Sequence, residues 1–172
     1  MHTKVEVIEP AGEEGSLSEK ERFYHSLAKQ VAALLEGERD FIANMANVAA
    51  LLFEELHDVN WAGFYLLKGY DLVLGPFQGK PACTRIVPGK GVCGTAAQKR
   101  ESVVVENVNM FPGHIACDAR SQSEIVVPLI KAAQLLGVLD IDSAVLARFD
   151  DEDRAGLEEV ARILLEASNT EH

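Results

Sequence analysis

The spacing of apolar residues changes at Asn60, and that change decides what kind of fold this chain can make. Before it, Phe23, Leu27, Val31, Leu34 and Leu35 recur every three or four positions, and so do Phe41, Met45, Val48, Leu52 and Leu56. That period lines up one face of an α-helix. Ser18 followed by Glu21 has the spacing of a capping box, Gly37 stops the first helix, and Asp40 caps the second. From Asn60 onward the runs shorten and become continuous or alternating, which is the pattern of strands. Residues 61–67 and 72–77, joined by Lys68-Gly69-Tyr70-Asp71, read as one hairpin. Residues 124–130 and 135–141, joined around Lys131 and Gln134, read as another. Short strands are predicted at 84–87 and 103–105, with a loop leading into a short helix over 91–97. Asp150 or Asp151 opens a last helix that carries Leu157, Val160, Leu164 and Leu165 on one face. Helices at both ends of a mainly antiparallel central sheet make an α+β fold.

The 172 residues fit one domain, predicted over 19–168, behind an N-terminal arm over 1–18 that is polar and rich in Gly, Pro and Glu. No apolar run approaches the ~20 residues that span a bilayer. The N-terminus lacks the basic start and apolar core of a secretory signal, so a cytoplasmic location is expected. With 27 acidic and 16 basic residues the formal net charge is −11. Such a surface repels phosphate backbones and anionic membranes, so neither nucleic acid nor membrane is an expected partner. The first helices and the arm could build a homodimer interface.

Cys83, Cys93 and Cys117 are three cysteines without a Cys-x-x-Cys pair. An odd count argues against a disulfide framework and leaves inert core thiols, a metal site or redox chemistry. Cys117 lies in a loop over 107–122, long enough to suggest function, with His114, Asp118, Arg120 and Ser121 around it. These polar flanks favour a reactive thiol, and Cys117 is read as the nucleophile of a small-molecule pocket. Cys83 follows Pro81-Ala82 on a loop that could move. Cys93 sits at a helix start, where amide dipoles should lower a thiol's pKa. A zinc set of Cys83, Cys93, His114 and Cys117 is chemically acceptable, but its spacing fits no common zinc module, so no metal is expected. His114 could serve as a base or merely close the loop.

In Leu139-Asp140-Ile141-Asp142 the two-residue period puts both aspartates on one face. That arrangement is costly among apolar residues unless a cation or a proton meets it, unless the face is simply the solvated side of an edge strand. Glu124, at the start of the neighbouring strand, can converge there. Together the three carboxylates could hold an ammonium and donate a proton. By the same alternation Trp61, Gly63 and Tyr65 share a face, with space beside Gly63 for an aromatic box.

Several stretches resemble the free methionine-(R)-sulfoxide reductase family. They include Gly75-Pro76-Phe77-Gln78-Gly79, Ala82-Cys83-Thr84-Arg85-Ile86, Gly89-Lys90-Gly91-Val92-Cys93-Gly94, Phe111-Pro112-Gly113-His114-Ile115-Ala116-Cys117-Asp118 and Gly137-Val138-Leu139-Asp140-Ile141-Asp142-Ser143. The resemblance runs from about Glu19 to Leu165 and takes in all three cysteines. It implies a GAF-type fold and reduction of the free amino acid through a cysteine sulfenic acid and an intramolecular disulfide. No bound cofactor is implied; thioredoxin is the external reductant, supplied by NADPH through thioredoxin reductase. Cys117 is then the catalytic cysteine, Cys83 its resolving partner with Cys93 close by, and Trp61, Tyr65, Glu124, Asp140 and Asp142 bind substrate. The main rival is a GAF-type small-ligand sensor without catalysis, and the third reading is a zinc-stabilised interaction module.

Overall fold

The computed structural model describes residues 16–115 and 117–171, so the arm expected over 1–18 lies almost wholly outside the described residues. Helix α1 (Glu19–Leu34) opens on the expected capping box: the Ser18 hydroxyl accepts from the Glu21 N–H at 3.0 Å, and the Glu21 carboxylate accepts from the Ser18 N–H at 2.7 Å. Such a cap is worth about 1 kcal/mol. Leu27 and Val31 are fully buried, but Leu34 is 42% exposed. The helix ends there, and Leu35 at the C-cap turns into the core in its place. Helix α2 (Phe41–Glu55) starts at Asp40, whose carboxylate accepts from the Ala43 N–H at 2.8 Å.

Six strands follow: β1 (Val59–Lys68), β2 (Asp71–Gly79), β3 (Arg85–Ile86), β4 (Val103–Val105), β5 (Ser123–Lys131) and β6 (Gln134–Ser143). Helix α3 (Gly91–Lys99) falls between β3 and β4, and α4 (Asp151–Ala167) closes the chain. They form one sheet in the order β3-β2-β1-β6-β5-β4, with every neighbour antiparallel. Both expected hairpins are present. The pairing that joins them, β1 with β6, is not local in sequence and puts β6 at the centre of the sheet.

Strand alternation divides the buried residues between two faces. Ala62, Phe64, Ile125, Val127, Leu129, Leu139 and Ile141 point toward α1, α2 and α4 and share one core with Leu27, Val48, Leu52, Leu157 and Leu164. Each large aliphatic side chain buried there contributes roughly 1.5–3 kcal/mol. Trp61, Tyr65, Val126 and Val138 point the other way, toward α3, and pack with Val92, Cys93, Ala96 and Ala97. Where α1 crosses α4, buried Asp153 accepts from the Tyr24 hydroxyl at 2.7 Å and pairs with Lys20 at 2.8 Å and Arg148 at 3.3 Å. No helix among the described residues is long and apolar enough to cross a membrane.

Candidate active site

The register of three strands gathers the acidic groups. Asp142 pairs with Trp61 on one side and Glu124 on the other, while Asp140 pairs with Gly63 and Val126. All three carboxylates therefore project from the α3 face of the central strands. Glu124 and Asp140 are each only 6% exposed, and Asp142 is partly buried, so the solvated-edge reading of this strand does not hold. One oxygen of Asp140, Oδ1, is buried without a hydrogen-bond partner in the protein. An unpaired buried polar atom is expensive, and a donor or cation entering the pocket would satisfy it.

Burial and the charge of Asp142 push the Glu124 carboxyl up to about 8. Burial and Glu124 push Asp140 well above its ordinary range, and burial and Asp140 do the same to Asp142. Three like-charged groups in a desolvated site cannot all ionise, so the site holds protons at neutral pH. His114 lies with Nε2 3.5 Å from Glu124 Oε2, and burial lowers its pKa. With the acid raised and the base lowered, that contact is between largely neutral groups.

The cysteines divide as two and one. Cys83, on the loop between β2 and β3, is joined to Cys117 by a disulfide with the Cα atoms 5.7 Å apart, within the usual range for such bonds. Cys117 is exposed and Cys83 partly buried, so the bond lies at the mouth of the pocket. Cys93 is the free thiol, 4% exposed, and donates to Glu124 Oε1 at 3.9 Å. It occupies the first turn of α3 as expected, but its pKa moves opposite to the helix-dipole expectation. Burial, followed by Asp140 and Glu124, pushes the thiol well above its ordinary value. Proximity to two carboxylates in a desolvated site outweighs a fractional helix charge.

The zinc set built on three cysteines and His114 is not available in this oxidised state, because two of its sulfurs bond each other. Among the described residues, the side chains close enough to share an ion are Cys93, Glu124 and Asp140, whose ligand atoms lie within 4.8 Å of one another.

Two aromatic residues complete the wall. Trp61 stacks on Phe77 at 5.2 Å and on Tyr65 at 6.0 Å between ring centroids. A Cβ at Gly63 would collide with Phe77 Cβ and Cα and with the edge of the Trp61 ring, so the space expected beside Gly63 is already filled by these two residues. Trp61 and Tyr65 both line the pocket with Cys93, Cys117, Glu124 and Asp140. Their polar ends are already used: Trp61 Nε1 donates to the Lys80 carbonyl at 3.1 Å, and the Tyr65 hydroxyl donates to the Cys83 carbonyl at 2.9 Å.

Some site residues were not anticipated. Asn60 Nδ2 donates to Asp118 Oδ2 and to Ser121 Oγ, each at 3.2 Å, tying the Cys117 loop to the start of β1. Asp118 accepts from Arg120 at 2.8 Å, and hydrogen bonds from that side chain and backbone hold its carboxyl far below the usual range. Asp-x-Arg spacing in a loop signals such a turn, but nothing local marks Asn60 as its partner. Lys80 and Lys90 also reach the pocket wall, as basic residues next to glycines in otherwise acidic surroundings.

Comparison with known proteins places this geometry. The GAF domain family matches residues 19–165. The free methionine-R-sulfoxide reductase of Escherichia coli is 56% identical over 141 residues, covering 82% of this chain and 86% of that protein. The Saccharomyces cerevisiae enzyme of the same name is 42% identical, covering 84% and 85%. The X-ray structure of free methionine-R-sulfoxide reductase from Neisseria meningitidis in complex with its substrate superposes with a TM-score of 0.83 at 47% identity, covering 88% of this chain and 92% of that one. This chain belongs to the GAF domain family, within the branch formed by the free methionine-R-sulfoxide reductases.

Proposed function

We propose that this protein reduces free L-methionine-(R)-S-oxide to L-methionine, using Cys117 as nucleophile and Cys83 as resolving thiol. The observation that carries this reading is the Cys83–Cys117 bond at the mouth of a pocket floored by Glu124, Asp140 and Asp142. A ligand sensor has no need of a two-cysteine couple there, and an interaction module has no need of buried acids.

The Cys117 thiolate attacks the sulfoxide sulfur while a proton passes to the oxygen. Glu124, with its carboxyl pushed up to about 8, is protonated at neutral pH and suited to donate it. The hydroxyl so formed then passes from the substrate sulfur to the Cys117 sulfur as the substrate's sulfur–oxygen bond and the sulfur–sulfur bond made in the attack both break. The substrate sulfur gains two electrons and leaves as methionine, and the Cys117 sulfur loses two and carries the oxygen as a sulfenic acid. The Cys83 thiol condenses with that acid, releasing water and forming the disulfide. A dithiol protein of the thioredoxin type, recharged by NADPH through thioredoxin reductase, returns both cysteines to thiols, which fits a reducing compartment such as the cytoplasm. No bound cofactor is needed for this cycle.

Asp140 and Asp142 face the substrate ammonium, and the unpartnered Oδ1 of Asp140 supports that role. This arrangement favours the free amino acid over a residue in a peptide, because blocking the amine removes the charge the site is built to meet. The test is turnover of resolved R and S epimers, free and as N-acetyl amides, with dithiothreitol as reductant. Fast reduction is expected for the free R epimer alone, and equal rates for free and blocked substrate would overturn the assignment.

A further inference from the structure

The two aromatic side chains that wall the pocket spend their only polar atoms on the backbone of the Cys83 loop. Residues 80–84 cross from the end of β2 to the start of β3. They leave β2 at Gly79, whose φ of +128° and close approach to Trp61 suit only glycine: a methyl there would lie 2.6 Å from Trp61 Cδ1. The loop is then held at three points, by Trp61 Nε1 on the Lys80 carbonyl at 3.1 Å, by the Tyr65 hydroxyl on the Cys83 carbonyl at 2.9 Å, and by the Leu74 N–H on the Thr84 carbonyl at 3.0 Å. The middle bond grips the peptide of the resolving cysteine itself.

We propose that Tyr65, supported by Trp61, is a positioning residue that holds the Cys83 loop where its thiol meets Cys117. Both donors come from β1, an interior strand, and are 1% and 2% exposed, so the sheet fixes them, whereas residues 80–84 lie in no strand or helix. Burial, then the nearby Asp140, keeps the Tyr65 phenol protonated far above neutral pH, so it remains a donor throughout the working range. The step served is the condensation: the Cys83 sulfur forms a bond to the Cys117 sulfur, the sulfur–oxygen bond of the sulfenic acid breaks, and the oxygen leaves as water with the thiol proton. The sulfoxide consumed earlier is the sole oxidant. Because the same two side chains line the pocket, loop docking is coupled to what the pocket contains.

The redox consequence stands apart from any activity, while the catalytic consequence rests on the reductase reading above. Protein equilibrated in dithiothreitol redox buffers, with no sulfoxide present, reports the Cys83–Cys117 equilibrium through thiol alkylation. Losing one neutral hydrogen bond shifts an equilibrium about fivefold, so Tyr65→Phe is expected to move the couple toward the dithiol by about that factor. Trp61→Phe should move it the same way. In thermal unfolding, Tyr65→Phe should then lose more stability oxidised than reduced. Equal losses in both states, with the equilibrium unmoved, would overturn the proposal. A second readout follows one sulfoxide pulse, with the sulfenic acid trapped by a cyclic 1,3-diketone. The amount trapped per methionine released should rise in Tyr65→Phe, and an unchanged ratio would also count against it. A wild type that releases no methionine would sink the reductase reading while leaving the redox shift to decide this one.

Discussion

The two faces of the sheet are built from the same strands and do opposite things. Toward α1, α2 and α4 the strands contribute Phe64, Ile125, Leu139 and Ile141, all apolar and at most 1% exposed. One residue along in each strand, facing α3, stand Tyr65, Glu124, Asp140 and Asp142, a set no core would choose for stability. The helix face lowers the free energy of the fold by removing hydrocarbon from water. On the α3 face, beside the apolar cluster of Val92, Val126 and Val138, the buried acids and the unpaired Asp140 Oδ1 work against stability, and the raised carboxyl pKa values have the same cause. The difference teaches that alternation alone lets one sheet carry a stabilising core on one side and a destabilised, reactive pocket on the other.

If that division is right, substitutions should sort by face. The largest effect belongs to Cys117→Ser, which should abolish methionine formation in a single turnover, since a serine hydroxyl is far harder to ionise at neutral pH; thermal unfolding of the reduced protein should change little at this exposed position. Next, Glu124→Gln should lower kcat/KM by about 10²–10³-fold if it removes the proton donor, yet leave stability equal or higher. Its pH signature is specific. In the wild type the folded state binds a proton at Glu124 that the unfolded chain releases above its ordinary pKa near 4.5, so stability falls as pH rises from there toward about 8. Glu124→Gln should flatten that slope in urea titrations taken across the range, and should remove the loss of activity expected above about pH 8.

On the helix face the outcome should invert. Leu139→Ala, one residue before Asp140, should cost about 2–5 kcal/mol of stability while kcat per folded molecule stays within a factor of a few. A comparable loss of kcat with stability intact would break the comparison. The smallest effect lies away from both faces, at the start of α4. Burial alone would raise Asp150, but its hydrogen bond to Lys20 at 2.7 Å, with the bonds to Asp153, holds it down to about 2. Asp150→Asn keeps a capping residue and removes the charge, and should cost about 0.5–1 kcal/mol. A depressed acid stabilises above its unfolded pKa, so the gap between wild type and variant should be full above pH 4 and close as pH falls through about 2.

Much of this was legible because it depends on short-range periodicity. The capping box at Ser18, both hairpins, the shared face of Trp61, Gly63 and Tyr65, and that of Asp140 and Asp142 all follow from spacings of two to four residues. What escaped depends on contacts between distant segments. The centrality of β6 comes from its pairing with β1, some 75 positions away, and no local pattern announces it. Cys93 falls on its helix as expected, yet its thiol pKa moves the other way, because burial under the sheet, then Asp140 and Glu124 arriving from distant strands, push it up. The Cys83–Cys117 pairing was implied only by family resemblance, since both residues sit on loops whose paths are set by Asn60, Trp61 and Tyr65. Leu34 fits the helical period but falls where α1 ends, and so is exposed.

One turnover of sulfoxide should oxidise one particular pair of cysteines, Cys83 and Cys117. This is tested most directly by mixing fully reduced protein with one equivalent of free methionine-(R)-sulfoxide, quenching by alkylation, and mapping peptides after digestion without reductant. The expected products are about one equivalent of methionine, a single linked pair joining the Cys83 and Cys117 peptides, and Cys93 recovered alkylated. Methionine released with Cys83 and Cys117 both still alkylated, or a link that consumes Cys93 instead, would contradict it.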